Sequence, residues 1–245
     1  MTADVLVVFA AALLTALATG LGALPFAVER VKVALWLGPA NAVAAGVMVG
    51  AAAGLMIEGL GREAAGACLG AAVGAAFVAL AHRAGDHQSA LELGGLHGAY
   101  ARKAVLIVGV MTVHSAAEGV GVGASFGSGD AFGLVIALAI AVHNVPEGFA
   151  ISLVLVPRGA TVRAAAGWSI FSSLPQPLMA VPAFLFVEQF DALLPAGLGF
   201  AAGAMAWMAA AELLPDALQH SSRRSVAAAT SVAFGAMLAL QLWLV

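Results

Sequence analysis

The chain is short of charge. Only 9% of its 245 residues are Asp, Glu, Lys or Arg, where an ordinary soluble domain carries about 25%. Ten basic and 13 acidic side chains are too few to cover a soluble globule of this length. That scarcity excludes an ordinary cytosolic enzyme and a disordered chain, and a net charge of −3 gives no signal for binding nucleic acid. Cysteine is scarcer still. Cys68 stands alone, which excludes an internal disulfide framework and any Cys-based metal site. Aromatic residues make up 7%. Two catalytic signatures are missing as well. There is no His-Glu-x-x-His and no Walker-type loop, so a zinc protease and an ATP-driven machine have no support.

Apolar residues fill the gap: 62% of the chain, with a mean hydropathy of +1.03 and 29 glycines. This is the composition of an integral membrane protein whose helices pack closely. Charges and turn residues cut the sequence into eight apolar stretches, at about 5–28, 33–57, 64–82, 104–126, 132–156, 164–187, 194–215 and 225–244. Each matches the ~20 residues that a helix needs to cross a bilayer. The expected fold is all-α and polytopic, a single transmembrane domain over 1–245 with eight transmembrane helices. The first stretch reads as a retained span rather than a cleaved signal. With the N-terminus outside, the inner connections hold nine of the ten basic residues: Arg30, Lys32, Arg83, Arg102, Lys103, Arg158, Arg163, Arg223 and Arg224. Arg62 alone falls outside. That bias places both termini outside. The longest connection, about 83–103, is a polar cytoplasmic loop with His87 and His97 in it and His82 at its edge. It reads either as a solvated loop or as a weak metal-collecting segment, since three scattered His make no ligand cluster.

An ionisable side chain at mid-membrane costs at least ~2.5–3.5 kcal/mol. Two adjacent spans nevertheless carry them in matching form: His114-Ser115-Ala116-Ala117-Glu118-Gly119 and His143-Asn144-Val145-Pro146-Glu147-Gly148. In His-x-x-x-Glu the two side chains lie one turn apart on one helix face. Both motifs sit about 17 Å from a span end, near the midplane. Two imidazoles and two carboxylates at one depth suit Zn²⁺, Fe²⁺, Mn²⁺, Co²⁺ or Ni²⁺, whereas Cu(I) would want thiolates. Two Glu with two neutral His sum to −2, which balances one divalent ion. The bland alternative is a buried polar network in which each His bonds the Glu of its own helix. A proton relay or a di-metal oxidase is another, but the ferritin-like Glu-x-x-His pattern does not match this spacing.

Span six carries Ser172-Ser173-Leu174-Pro175-Gln176-Pro177, with Pro182 beyond. Prolines remove backbone donors and break a helix, and irregular backbone at this depth is tolerated where it lines a cavity. Gln176 can therefore face the His/Glu cluster, and Pro146 is expected to loosen span five beside its ligands. Glu212, near the inner end of span seven, reads as a lining group of an exit path or as an interfacial carboxylate. Met48 could lend a weak thioether or simply pack. Gly46, Gly50 and Gly54 fit close helix packing.

These residues together resemble the ZIP family of divalent metal transporters, and most of all its bacterial GufA-like branch. The likeness rests on the paired His-x-x-x-Glu-Gly helices, on Ser-Ser-Leu-Pro-Gln-Pro, on Glu-Leu-Leu-Pro in span seven and on Ala-Gly-Val-Met in span two. The resemblance implies a 3+2+3 arrangement of eight spans and uptake of zinc or a related divalent cation (iron, manganese, cobalt, cadmium) into the cytoplasm by alternating access. The metal is then the transported substrate and no organic cofactor is needed. It implies residence in the plasma membrane, a bacterial inner membrane, with a homodimer as the common assembly. His114, Glu118, His143 and Glu147 match a first metal position. Ser115, Glu118, Asn144, Glu147 and Gln176 match a second, and Met48 matches a span-two residue that touches metal in some members. Ser115 replaces the usual Asn, Ala117 the usual Pro, and Gln176 stands where many members have Glu. Those departures thin the second position, so one tightly bound ion is expected. The competing reading of the same cluster is a membrane-embedded metalloenzyme or metal sensor.

Overall fold

A computed structural model of the chain describes residues 5–28, 34–87 and 99–244. Arg30, Lys32 and the part of the polar loop that holds His97 lie outside the described residues. Backbone donors and acceptors find no water in lipid, so a spanning chain must satisfy them within each segment, and every regular element described is helical. In chain order these are α1 (Val5–Leu21), α2 (Ala34–Arg62), α3 (Ala64–His87), α4 (Ala99–Ser128), α5 (Asp130–Leu155), α6 (Val162–Ser173), α7 (Pro175–Gln189), α8 (Leu194–Met208), α9 (Leu214–His220) and α10 (Arg223–Leu244). Among the described residues, seven helical segments are long and apolar enough to cross a membrane; α6–α7 count as one and α8–α9 as another. The chain is an all-helical membrane protein. Its outer faces carry large apolar side chains such as Leu6, Leu60, Leu80, Val232 and Trp243.

The loop expected over 83–103 is shorter than that. Helix α3 continues through His87 and α4 begins at Ala99, because Arg83, Ala84 and the residues after them keep helical bonding beyond the apolar stretch. The prolines divide into two classes. Span six breaks at Leu174, where Pro175 and Pro177 remove two backbone donors within three residues; the Leu174 N–H turns instead to Phe171 O, 3.2 Å away. Span five does not break. Helix α5 runs continuously through Pro146, where one missing donor in a 26-residue helix is tolerated as in other membrane helices. A second irregularity had no counterpart in the sequence reading. Residues Ala209–Leu213 form a π-helical turn between α8 and α9. Pro215 follows it, and a proline ring clashes with the carbonyl four residues back; widening the turn relieves that clash.

The helices form two packed groups. Helices α3 with α8 and α2 with α10 make one, joined by α2 against α8. Helices α1, α4, α5, α6 and α7 make the other. In the first group glycine lets backbone meet backbone. A Cβ on Gly74 would stand 1.9 Å from Phe200 O, and one on Gly203 would stand 1.9 Å from Ala71 O. Gly46 and Gly50 face Thr230, Ala233 and Met237 of α10, and Gly54 meets Gln241.

Candidate metal centre

Helix α4 presents His114 and Glu118 one turn apart, and α5 presents His143 and Glu147 in the same way. Close helix contact brings the two motifs to one depth. Gly119, directly after Glu118, lies so near Gln176 O that a Cβ there would stand 2.5 Å from it. Gly148, directly after Glu147, lies so near Thr19 O that a Cβ would stand 1.7 Å away. The glycine of each His-x-x-x-Glu-Gly motif is thus the point where its helix meets a neighbour, α7 for one and α1 for the other.

One ligand atom from each of His114, Glu118, His143 and Glu147 lies within 4.8 Å of all the others, and all four residues are buried. Glu118 Oε1 is 2.9 Å from His143 Nε2 and 3.2 Å from His114 Nε2. The two Nε2 atoms are 3.4 Å apart, and the rings meet edge to face at 85°. Glu147 stands farther off, with Oε2 3.8 Å from His143 Nε2. The pairing therefore crosses between helices: His143 is nearer the Glu of α4 than the Glu of its own helix. The two His/Glu pairs are therefore linked into one cluster and not self-contained. Both Glu147 oxygens and both His Nδ1 atoms are buried and make no hydrogen bond among the described residues. A buried carboxylate with no donor is costly, and a cation bound among these four atoms would satisfy it. Imidazole nitrogens and carboxylate oxygens are the donor set of a borderline divalent metal.

The remaining residues singled out in the sequence fall into three groups. Gln176 and Asn144 join the cluster: Gln176 Nε2 donates to Glu118 Oε2, and Asn144 Nδ2 donates to Gln176 Oε1 at 3.1 Å. Ser115 is fully buried on α4, and its hydroxyl makes no hydrogen bond among the described residues. Met48 is fully buried within the main apolar core. Glu212, on the π-helical turn, lines a cavity of about 450 Å³ whose wall also includes His114, His143 and Glu147. Asn41, Asp216 and His220 line the same cavity, so it extends from the cluster to the end of α9. His82 was read only as a loop-edge residue; its Nδ1 lies 2.9 Å from Glu212 Oε1, tying α3 to the π-helical turn. Thr15 was missed. Its hydroxyl lies 2.5 Å from Gln176 Oε1. The signal was available: Thr15 and Thr19 are the polar side chains of α1, one turn apart in an otherwise apolar helix.

Comparison with known proteins bears on the family of the chain. The chain is 44% identical over 228 residues to a protein of Arabidopsis thaliana named for zinc transport, an alignment covering 92% of this chain and 37% of that protein. It is 33% identical over 168 residues to zinc transporter GufA of Myxococcus xanthus, covering 68% of this chain and 65% of that one. The chain thus spans between about a third and two thirds of the length of these curated relatives. Residues 79–242 match the sequence model of the ZIP zinc transporter family, and that stretch contains both His-x-x-x-Glu-Gly motifs, the broken span and the π-helical turn. The chain belongs to the ZIP zinc transporter family, a family of membrane transporters and not of enzymes.

Proposed function

We propose that this protein carries a divalent metal cation, Zn²⁺ foremost, across a bacterial inner membrane into the cytoplasm. The ion is held mid-membrane by His114, Glu118, His143 and Glu147. One observation carries the reading: four metal-type ligand atoms from two helices converge within 4.8 Å in a buried site that shares its wall with a cavity reaching the end of α9. A route from a buried ligand set toward one end of the bundle is the anatomy of one state of an alternating-access carrier. Arg223 and Arg224 stand where α9 finishes and α10 begins, and the basic bias read from the sequence assigns that end to the cytoplasm.

The architecture is eight spans in a 3+2+3 arrangement within a single domain over 1–245, both termini outside. Helix α4, 30 residues long, supplies the span beyond the seven already identified. The group that bears the site shifts against the glycine-packed group, and two copies form a homodimer. Asn144, Gln176 and Ser115 surround the ion, and Met48 stands on the facing helix. The sum of −2 from two carboxylates matches one divalent ion, and a second would leave about +2 unbalanced in a low-dielectric site. One tightly bound ion is therefore expected per chain.

The experiment is competitive uptake into proteoliposomes with Zn²⁺, Fe²⁺, Mn²⁺ and Cd²⁺. Uptake that disappears in His143→Ala and Glu147→Ala supports the proposal. Full uptake in either variant overturns it. A chemical turnover lost in Glu147→Ala while flux persists would favour a membrane metalloenzyme using the same cluster.

A further inference from the structure

We propose that Thr15, on a helix that supplies no metal-type ligand, is a positioning residue: it fixes the amide of Gln176 and so leaves Glu118 one oxygen for the ion. This rests on the reading of the His/Glu cluster as the transport site.

The argument follows the direction of hydrogen bonds. Thr15 O is a backbone carbonyl and can only accept. It accepts from Asn144 Nδ2 at 2.8 Å, so the nitrogen of the Asn144 amide faces α1. The same nitrogen reaches Gln176 at 3.1 Å, and the atom facing it must therefore be the acceptor, Oε1. Thr15 Oγ1 donates to that oxygen too, at 2.5 Å, its single proton shared with Ala12 O at 2.7 Å. With Oε1 held by α1 and α5, the Gln176 amide nitrogen is left facing Glu118, where it donates to Oε2. The far end of the chain is a carboxylate, again an acceptor only. Both ends accept, so the two amides between them have one consistent orientation. A flipped Gln176 would set its NH₂ against that of Asn144 and its carbonyl against the Glu118 carboxylate. All four side chains are buried: Thr15, Asn144, Gln176 and Glu118.

The two oxygens of Glu118 thereby take different tasks. Oε2 is engaged by the Gln176 amide. Oε1 faces both imidazoles, at 2.9 and 3.2 Å. A carboxylate pinned by one oxygen offers the other in a fixed direction, which favours one coordination geometry over another. The hydroxyl of Thr15 has no part in ligation; it acts through Gln176.

Thr15→Val keeps the shape and removes the hydroxyl, and Thr15→Ser keeps the hydroxyl. Zn²⁺ uptake and Zn²⁺/Cd²⁺ competition in proteoliposomes read the difference. Thr15→Val is expected to raise KM for Zn²⁺ about three- to tenfold, the worth of one buried hydrogen bond, with maximal rate within about twofold of the unmodified protein. Its preference for Zn²⁺ over the larger Cd²⁺ falls by a similar factor, and Thr15→Ser restores both. Thr15→Ala gives the same reading should the valine variant fail to accumulate in the membrane. An unchanged KM and preference in Thr15→Val and Thr15→Ala overturns the proposal. So does a Thr15→Ser variant as impaired as Thr15→Val, since packing and not the hydroxyl would then be at work. His143→Ala in the same assay separates the two levels. If it still transports, the site reading fails; if it is inactive while Thr15→Val is unchanged, only the role of Thr15 is lost.

Discussion

Two helix seams in this protein solve the same problem with different means. Lipid gives no hydrophobic drive for helix to meet helix, so association rests on close packing or on interhelical hydrogen bonds. The α3–α8 seam uses packing. Gly70, Gly74, Gly199 and Gly203 admit the backbone of the facing helix, with Cβ positions only 1.9–2.1 Å from carbonyl oxygens of Ala196, Phe200, Ala67 and Ala71. Such a seam has one register, because any shift drives a carbonyl into a Cα. The α1–α5–α7 seam has a glycine contact too, Gly148 against Thr19 O, but adds polar side chains to it. Thr15 joins Gln176, Asn144 joins both, and Thr19 Oγ1 lies 2.8 Å from Ser173 Oγ at the end of α6, just before α7. A polar seam can exchange partners, and an arriving ion is a new partner. The lesson is a division of labour: the glycine seam holds one arrangement while the polar seam answers to the metal.

Breaking the polar side at its hub should produce the largest effect. Glu118 touches both imidazoles and Gln176. Removing one partner of a buried ionic network costs about 3–5 kcal/mol, so Glu118→Ala should lower Zn²⁺ uptake about a hundredfold or more. Purified Glu118→Ala should also lose its tight Zn²⁺ equivalent in calorimetric titration. Retained tight binding would move the centre of the site to Glu147.

Breaking the glycine side should give a different phenotype. Gly74→Val places a branched side chain where a Cβ alone stands 1.9 Å from Phe200 O. Overpacking costs about 1–3 kcal/mol, and here the opposing atom belongs to backbone and cannot rotate away. The expected outcome is less folded protein in the membrane and a lower unfolding midpoint in detergent. Zn²⁺ stoichiometry of the surviving fraction should stay as it was. A changed stoichiometry would show that the two seams are not independent.

Gln176→Glu sharpens the polar side instead of breaking it. The change turns the donor on Glu118 Oε2 into a third carboxylate. Two divalent ions would then face −3 in place of −2, reducing the unbalanced charge to about +1. A second, weaker Zn²⁺ equivalent should appear in titration, with Kd about tenfold or more above the first. A single equivalent in the variant would mean that Ser115 and Asn144 cannot complete a second position.

Much of this was legible in the sequence because charge is so sparse. In a chain with 9% charged residues, two His-x-x-x-Glu pairs cannot hide, and helical periodicity fixes which side chains share a face. The break before Pro175 was legible too, since two prolines in three residues remove two donors. Three features were not. The crossed pairing of His143 with Glu118 depends on how α4 and α5 approach, which no single-helix pattern encodes. Pro146 left α5 intact while Pro215 accompanies a π-helical turn; the local chemistry is the same, and the surroundings of each proline decide the response. Thr15 looked like any small polar residue in an apolar helix until the fold set it against Gln176.

The smallest predicted effect tests whether glycine is needed everywhere it occurs. Gly235 lies inside α10, on the same helix that meets Gly46 and Gly50, yet nothing stands within 4 Å of where its Cβ would be. It has no close approach to protect and no positive φ. Its remaining effect is entropic, since glycine loses more backbone freedom on folding than alanine does. Gly235→Ala should therefore raise stability in detergent by about 0.4–1 kcal/mol, with uptake unchanged. The contrast with Gly74→Val is the point: one glycine is held by a carbonyl 1.9 Å from its missing Cβ, the other by nothing. If Gly235→Ala instead lowers stability or uptake, that face of α10 meets a partner which the single chain does not contain. A second copy of the chain, cross-linked through cysteines placed beside position 235, would then be the first partner to seek.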